Sequence, residues 1–309
     1  MSGARQFGTL IGLAVLCAIL WILTPYFLTV SNLLNIAEQT SINAIVAVGM
    51  TFVILSGGID LSVGSIVALS GVVLGAALQS GQPLPVALVL AAAVGLACGL
   101  GNGALVSWGG LPPFIVTLGT MSIARGAALL FTEGRPVSGF DPGFRMLATG
   151  RVAFTPAPVI ATILVYAIAH FVLTRTTFGR YVYAIGGNEE ATRLSGVAIR
   201  FHKTMIYGVS GLMSAIAAII LTARLNSAQP IAGMMYELDA IAATVIGGTS
   251  LMGGDGTLAG TLVGALIMGV LRNGLNLLGV SSFLQQIVIG AVIVVAVLLD
   301  TILKRRNRT

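Results

Sequence analysis

Residues 84–106 read LPVALVLAAAVGLACGLGNGALV, without one Asp, Glu, Lys or Arg. A helix that crosses the hydrocarbon core of a bilayer needs about 20 predominantly apolar residues. The stretch has that length and that composition, and it carries no polar face of the kind that a surface helix of a soluble domain needs. The sequence therefore predicts a membrane-spanning helix here.

The composition of the whole chain agrees with this prediction. Of its 309 residues, 56% are hydrophobic and 8% are charged, and the mean hydropathy is +1.00. A soluble domain is about 25% charged, so these few charges cannot cover a water-facing surface. A soluble enzyme, a disordered chain and a DNA-binding domain are thereby excluded. The 40 glycines suit helices that approach each other closely, and we expect an all-α polytopic protein in a lipid bilayer.

Apolar runs between polar, Gly or Pro breaks predict about ten transmembrane helices. The predicted spans are roughly 7–27, 42–57, 62–79, 84–106, 113–131, 156–174, 204–224, 238–254, 257–278 and 282–303. The second, third and eighth are short or interrupted by glycine, so we expect them to be tilted, broken or packed away from lipid. No linker or low-complexity segment divides the sequence, and residues 1–309 are predicted to form a single transmembrane domain.

The basic residues of the predicted loops are unequally distributed. With ten spans, both termini lie on one side together with the 175–203 loop, and that side carries ten basic residues against three on the other. Cytoplasmic loops carry the excess of Lys and Arg, so we expect both termini to be cytoplasmic. The ten are Arg5, Arg175, Arg180, Arg193, Arg200, Lys203, Lys304, Arg305, Arg306 and Arg308. The net charge of +6 then reflects the membrane topology. A nucleic-acid partner would require a basic folded face, and the sequence does not predict one.

The 175–203 loop contains the stretch GGNEEATRLSG at residues 186–196, which is predicted to form a short helix. Asn188 suits its N-cap, and the two acidic residues that follow suit the first turn. Glu189 and Arg193 have the i,i+4 spacing of an ion pair, and Gly196 suits the left-handed position after the helix. So short a helix is marginal alone. It is either part of a solvated charged loop or a coupling helix held by a cytoplasmic motor protein.

Three long stretches carry a family resemblance. They are SINAIVAVGMTFVILSGGIDLSVGS at 41–65, GRYVYAIGGNEEATRLSG at 179–196, and RLNSAQPIAGMMYELDAIAATVIGGTSLMGGDGTLAGTLVGALIMGVLRNGLNLLGV at 224–280. These stretches resemble the permease subunit of bacterial ribose-type ABC importers, and the similarity covers most of the chain. The 132–155 loop is among the least similar parts.

The resemblance implies a single permease domain in the bacterial inner membrane that translocates a monosaccharide, D-ribose. It implies a homodimer, a periplasmic sugar-binding protein that delivers the sugar, and two ABC ATPase subunits that hold ATP and Mg on the cytoplasmic face. By the same resemblance the ATPase contacts the 186–196 loop. The residues concerned are Gly187, Asn188, Glu189, Glu190, Arg193, Ser195 and Gly196.

Asp60 follows two glycines and precedes an apolar run. One interpretation makes it the N-cap of the following helix. The other places it in a broken segment beside the translocation pathway, where Ser62 and Ser65 would offer hydroxyl groups to a sugar. Because a charge at the centre of a membrane helix is costly, we expect Asp60 near the end of a span. The glycine pairs of residues 57–60 and 247–255 are a weak hint of internal duplication.

Charged residues also flank the predicted outer loop between the seventh and eighth spans. Arg224, Glu237 and Asp239 either form ion pairs that close this end or belong to a docking surface for the binding protein. Arg125 and Arg135 would share that docking surface. The sequence alone leaves both interpretations open.

Asn273 and Asn276 lie three residues apart on the ninth predicted helix. Polar amides in membrane helices join neighbouring helices more often than they line a pore. Both residues are nevertheless candidates for the translocation pathway.

No catalytic or metal-binding pattern is present in the sequence. The motif G-x-x-x-x-G-K-[ST] is absent, so a phosphate-binding loop is not expected. No nucleophile–base set and no metal-ligand spacing occur, which predicts no cofactor in this chain and ATP hydrolysis on a partner. An ion-coupled secondary sugar transporter is the alternative. Such proteins commonly use acidic residues at the midplane, whereas Asp60, Glu237 and Asp239 are predicted near the ends of spans, which disfavours it. A membrane-embedded enzyme is a third possibility that no residue set supports.

Overall fold

The structure, a computed structural model, describes residues 2–306, with side chains for residues 7–295, 297 and 298. Within that range the chain forms thirteen helices and four two-residue strands. The helices are α1 (Ser2–Leu23), α2 (Val30–Leu55), α3 (Val63–Gln79), α4 (Leu84–Ser107), α5 (Pro113–Thr132), α6 (Pro142–Thr149), α7 (Ala157–Arg175), α8 (Thr177–Gly187), α9 (Glu189–Leu194), α10 (Ile199–Leu225), α11 (Tyr236–Ile246), α12 (Leu258–Leu277) and α13 (Ser282–Arg306). The strands are β1 (Val137–Ser138), β2 (Arg151–Val152), β3 (Thr155–Pro156) and β4 (Ser227–Ala228), and the antiparallel pairs are β1–β4 and β2–β3.

Six helices in the described part of the chain are long and apolar enough to cross a membrane: α2, α4, α5, α7, α10 and α12. Three shorter apolar segments, Phe7–Leu23, Val63–Gln79 and Ser282–Val295, belong to α1, α3 and α13. The predicted all-α, membrane-type fold class is therefore confirmed.

Two predicted spans differ clearly from the helices. The span predicted at 42–57 is the second half of α2, whose start is capped by Thr29, with its side-chain oxygen accepting from the Asn32 amide. Polar residues in the first half of α2 hid this start from a search for apolar runs. The span predicted at 238–254 is only α11, which ends at two glycines, and Gly248 has a φ of +92°. The 11 residues of α11 cover about 16 Å, roughly half of the hydrocarbon core.

α2 lies at the centre of the helix bundle. Every residue from Ala44 to Leu55 is buried, and α2 contacts α7, α10, α11 and α12. This second half of α2 is almost entirely apolar, and a helical segment that is apolar all round is typically buried. α2 is therefore the element around which the other helices pack.

The contact between α4 and α10 depends on glycine. Gly95, Gly99 and Gly103 recur every four residues and so lie on one face of α4. A Cβ at any of the three would overlap backbone atoms of α10. The absence of side chains allows the two backbones to approach closely, as is usual for helix pairs in membranes.

Two sets of loops lie at opposite ends of α10, which at 27 residues extends about 40 Å. The first set contains α9 and the turn at 107–113, and it is called the α9 end. Ser107 and Thr204 join α4 to the start of α10 here through a 2.9 Å hydrogen bond. The second set contains β4, which directly follows α10, and its partner strand β1. We call it the β1–β4 end. The bundle therefore presents two distinct loop surfaces.

Candidate functional site

The helix predicted in the 186–196 loop is confirmed as α9. Asn188 has an extended φ of −159°, and its side-chain oxygen accepts a 2.9 Å hydrogen bond from the amide of Ala191. Gly196 follows with a φ of +83°, in the left-handed region where glycine carries no penalty. Ser195 is the C-cap residue. Both ends of α9 are thus fixed by the residues that the sequence analysis assigned to them.

The predicted ion pair between Glu189 and Arg193 is wrong. Arg193 instead binds Glu190 with two hydrogen bonds of 2.5 and 2.9 Å, and these bonds hold the pKa of Glu190 below its usual value. Glu189 pairs with Lys203 of α10 at 2.5 Å. The reason is tertiary, since α10 returns beside α9 and offers Glu189 a cation outside its own helix.

A groove of about 430 Å³ runs between α9 and the turn at 107–113. Charged side chains line it, among them Glu189, Arg193, Arg200 and Lys203. Large apolar side chains stand exposed at the same end of the molecule: Leu194 on α9 is 75% exposed and Trp108 is 63% exposed. Apolar anchors within a polar rim are the usual composition of a protein-docking surface. We call α9, Trp108 and this groove the docking surface.

The sequence analysis missed the part of the docking surface that the turn at 107–113 supplies. Trp108 lies between two long apolar runs, in a segment rich in Gly and Pro. This composition predicted only a loop between two spans. The guanidinium carbon of Arg200 lies 5.4 Å from the centroid of the Trp108 ring, a cation–π contact. An exposed Trp in a short turn was the available signal, but only the fold brings it beside α9.

The docking surface is joined rigidly to the interior of the bundle. α8 ends against α2, where a Cβ at Gly186 would overlap the carbonyl oxygen of Leu55 and lie 2.6 Å from the amide nitrogen of Gly254. That amide also donates a 2.9 Å hydrogen bond to the Leu55 oxygen. The two glycine-rich breaks that the sequence analysis compared, at 57–60 and 247–255, therefore meet at this junction. α8, which leads into α9, therefore packs directly against the end of α2.

Asp60 is fully buried between α2 and α3. Its carboxylate accepts hydrogen bonds from the amide of Ser62 (3.0 Å), from the hydroxyl of Ser62 (2.6 Å) and from that of Ser210 (2.7 Å). The Ser62 oxygen accepts in turn from Asn102 at 2.8 Å, and Asn102 accepts from Thr120 at 2.5 Å. This network joins the break after α2 to α4, α5 and α10.

One expectation for Asp60 is wrong: it is not the N-cap of α3, because that position belongs to Ser62. The other is confirmed, since Asp60 lies between the end of α2 at Leu55 and the start of α3 at Val63. Its partner Ser210 lies about 16 Å along α10 from Ile199, so these two helix ends meet the middle of α10. The three hydrogen bonds replace the missing water and permit the buried position. Ser65, predicted with it as a pathway residue, is also buried, and none of the three offers a surface to a sugar in this conformation.

The two asparagines of α12 join helices. Asn273 and Asn32 exchange two hydrogen bonds, of 3.0 and 2.8 Å, between α12 and α2. Asn276 accepts a 2.7 Å hydrogen bond from Gln285 of α13. The geometry favours interhelical contact over a role in the pathway.

The charged residues around the predicted outer loop are arranged differently from the expected ion pairs. Asp239 pairs with Arg272 of α12 at 2.7 Å, rather than with Arg224, which lies 3.5 Å from the side-chain oxygen of Asn35. Arg125 donates to the carbonyl oxygens of Pro230 and Ala232, at 2.8 and 2.7 Å. It therefore holds the loop before α11 instead of facing outward.

The last two residues of that set lie at different depths. Arg135 is exposed on the segment before β1. Glu237 is half-buried, and its carboxylate lies so close to α3 that a Cβ at Gly64 would come within 2.6 Å of it. Of the five predicted residues, Arg135 is the one whose side chain stands fully at the surface of the β1–β4 end.

Together, the bundle of apolar helices and the charged loop surface at one end define a polytopic membrane protein. The chain belongs to the family described as branched-chain amino acid transport system / permease component, whose family model matches residues 32–297. It is therefore a transporter permease subunit and not an enzyme.

Curated relatives match nearly the whole chain. The chain is 50% identical to the ribose import permease protein RbsC of Bacillus subtilis (strain 168), over 96% of this chain and 92% of the relative. It is 51% identical to the protein of the same name from Escherichia coli (strain K12), over 97% of both chains. The D-allose transport system permease protein AlsC of Escherichia coli (strain K12) is 41% identical, over 97% of this chain and 93% of the relative. No solved structure matches the chain significantly.

Proposed function

We propose that this chain is the membrane-spanning permease subunit of an ATP-driven ABC importer that carries D-ribose across the bacterial inner membrane. The observation that carries the proposal is the identity of about half of all residues with ribose import permeases from two distant bacteria, over nearly the full length of each. The permeases named for allose and xylose are 41% and 37% identical. The test is ATP-dependent ribose uptake by vesicles that hold the chain with its proposed partners, compared with vesicles that hold the chain alone.

Two kinds of partner follow from the two loop surfaces. An ABC ATPase subunit, which binds ATP and Mg, contacts the docking surface at the α9 end. A periplasmic sugar-binding protein delivers ribose at the β1–β4 end, where Arg135 is exposed. A second copy of the chain completes the permease as a homodimer. The charged rim and apolar anchors of the docking surface support the first assignment.

The proposed mechanism transmits force through the α8–α2 junction. Ribose is neutral, so the membrane potential does not drive it. ATP draws the two ATPase subunits together, and each displaces the α9 that it holds. Because α8 contacts Leu55 and Gly254 directly, this displacement tilts α2, around which the bundle packs. The permease then rocks as a two-state element between outward and inward openings, and ATP must bind one state more tightly to bias it.

The proposed topology has ten spans with both termini in the cytoplasm. α11 is too short to cross alone, and in this proposal it crosses together with the segment after it, whose Gly254 reaches the end of α2. With α1, α3, α13 and the six long helices this makes ten crossings, so the α9 end and both termini would share one side. The basic residues of the 175–203 loop lie at that end, as the positive-inside rule requires. The terminal basic residues that support the same orientation lie outside the described side chains: Arg5, Lys304, Arg305, Arg306 and Arg308.

Cysteine labelling tests this topology. In a chain with the Cys17→Ala and Cys98→Ala changes, Leu194→Cys is expected to react with a membrane-impermeant maleimide only from the cytoplasmic side. Phe154→Cys is expected to react only from the periplasmic side. Both positions are suitable because Leu194 is 75% and Phe154 is 89% exposed. Labelling of both from the same side would contradict the proposed arrangement.

A further inference from the structure

A polar face on α2 is not explained by the contacts described above. Asn35, Gln39 and Asn43 recur every four residues and so lie on one side of the first half of this membrane-spanning helix. The amide of Gln39 donates a 2.7 Å hydrogen bond to Asn35. All three are only half-buried. Three amides in a row are an unfavourable surface for lipid.

The Asp239–Arg272 ion pair continues this face. Asn43 donates to a carboxylate oxygen of Asp239 at 3.3 Å. The Nη2 atom of Arg272 donates to both oxygens of the same carboxylate, at 2.9 and 2.7 Å. The Asp239 side chain is 3% exposed, whereas that of Arg272 is 38% exposed. The cation therefore presents part of its surface outward from a helix that crosses the membrane.

Hydrogen-bonding capacity is left over at the same place. In the part of the chain that the structure describes, both bonds of Arg272 use Nη2, so the N–H groups on Nε and Nη1 remain as donors. The side-chain oxygen of Asn43 is buried and has no hydrogen-bond partner among the described residues. Unmatched polar groups at membrane depth are costly, which indicates that something polar meets them during the working cycle.

A cavity lies at the first residue of this face. A cavity of about 510 Å³ is lined by Asn35, Glu38 and Arg151, together with Val30, Ser31 and Leu34. Arg151 belongs to β2, in the loop between α5 and α7. Asn35 thus belongs to the cavity and is also the first residue of the polar face. A polar solute in the cavity would meet Asn35, then Gln39, then Asn43 and the ion pair.

We propose that the Asn35–Gln39–Asn43 face, with Asp239 and Arg272, lines the sugar pathway, and that Arg272 and Asp239 hydrogen-bond to the sugar as it passes. The inference rests on the proposed function and assigns the residues that the sugar meets. A sugar hydroxyl both donates and accepts, so amides, a carboxylate and a guanidinium can each bind one. Arg272 is already paired with Asp239. A sugar hydroxyl would replace a hydrogen bond within this pair and would not enter a deep binding site. That property suits a pathway from which the sugar must leave.

The first test asks whether water reaches the face. The protein is the full chain with Cys17→Ala and Cys98→Ala, co-reconstituted with its ATPase and binding protein, and the probe is a charged methanethiosulfonate reagent. Gln39→Cys is expected to react, whereas the control Ile123→Cys, on α5, is expected to stay unreactive. Ile123 is 73% exposed on a helix that is long and apolar enough to cross a membrane. We therefore expect a thiol there to face lipid, where it does not form the reactive thiolate. A Gln39→Cys chain that is as unreactive as the control would overturn the proposal.

The second test asks whether the ion pair acts on the sugar. Arg272→Lys keeps a positive charge beside Asp239 but loses the planar fork of donors, so ribose uptake is expected to fall about ten-fold. ATP hydrolysis stimulated by the loaded binding protein is expected to stay within about two-fold of the parent, because the docking surface is intact. Unchanged uptake would refute the role of Arg272. If the parent complex itself takes up no ribose, the proposed function fails, and the labelling of Gln39→Cys still decides whether the face is wet.

Discussion

Gly186→Ala is expected to abolish ribose uptake by the assembled transporter. The added Cβ would overlap the carbonyl oxygen of Leu55, so α8 has to move away from the end of α2. Overpacking of this kind costs typically about 1–3 kcal/mol. Here it also breaks the contact through which the docking surface acts on the bundle. Uptake is measured in vesicles, together with ATP hydrolysis, and the expected result is hydrolysis without transport.

Gly101→Ala is the matched control for this change. Gly101 also lies within a helix, but a Cβ there meets nothing within 4 Å. Ala is favoured over Gly in a helix by up to about 1 kcal/mol, so this variant should retain both uptake and thermal stability. Full uptake by Gly186→Ala, with a folded and monodisperse protein, would show that the junction does not transmit the movement.

Glu189→Arg is expected to abolish uptake while membrane insertion and dimerisation survive. The change breaks the ion pair with Lys203. It also adds a fourth cation to a groove that Arg193, Arg200 and Lys203 already line. Because Glu189 is half exposed, the ion pair itself contributes little to folding. The loss is therefore expected at the contact with the ATPase, and co-purification of the two subunits measures it directly.

A charge exchange separates docking from internal pairing. Glu189→Arg combined with Lys203→Glu restores an ion pair between α9 and α10 with its charges reversed. If Glu189 serves the partner, the double variant restores the α9–α10 ion pair but not ATPase binding, because the ATPase surface is unchanged. Recovery of uptake in the double variant would instead show that Glu189 acts only within the chain.

The class of the fold is readable from the sequence because membrane helices have a strong and local signal. The run at 84–106 is the helix α4 to within a residue at either end. The start of α2 escaped this signal because its polar side chains break the apolar run. Their partners Arg224, Asp239 and Asn273 lie far away in sequence. The span containing α11 was overestimated because the apolar run was continued past the glycines at 247 and 248, although these two glycines end the helix.

The docking surface was predictable in part. The caps of α9 depend on neighbours in sequence, so they could be predicted from Asn188 and Gly196. The partner of Glu189 depends on where α10 begins. Glu189 and Glu190 are adjacent in sequence, so the sequence did not show which of them pairs with Arg193. The full burial of Asp60 was missed for a similar reason, because one of its three hydrogen bonds comes from Ser210, which is 150 residues away in sequence.

The most direct measurement of the central claim is ribose accumulation by vesicles that contain this chain, with and without its ATPase. The claim is that the chain is a passive conduit whose energy comes from nucleotide hydrolysis on a partner bound at the docking surface. Accumulation against a gradient is predicted only when the ATPase, the binding protein and ATP are all present, and it is predicted to be insensitive to ionophores. Uphill accumulation by the chain alone, driven by an imposed proton or sodium gradient, would contradict the claim.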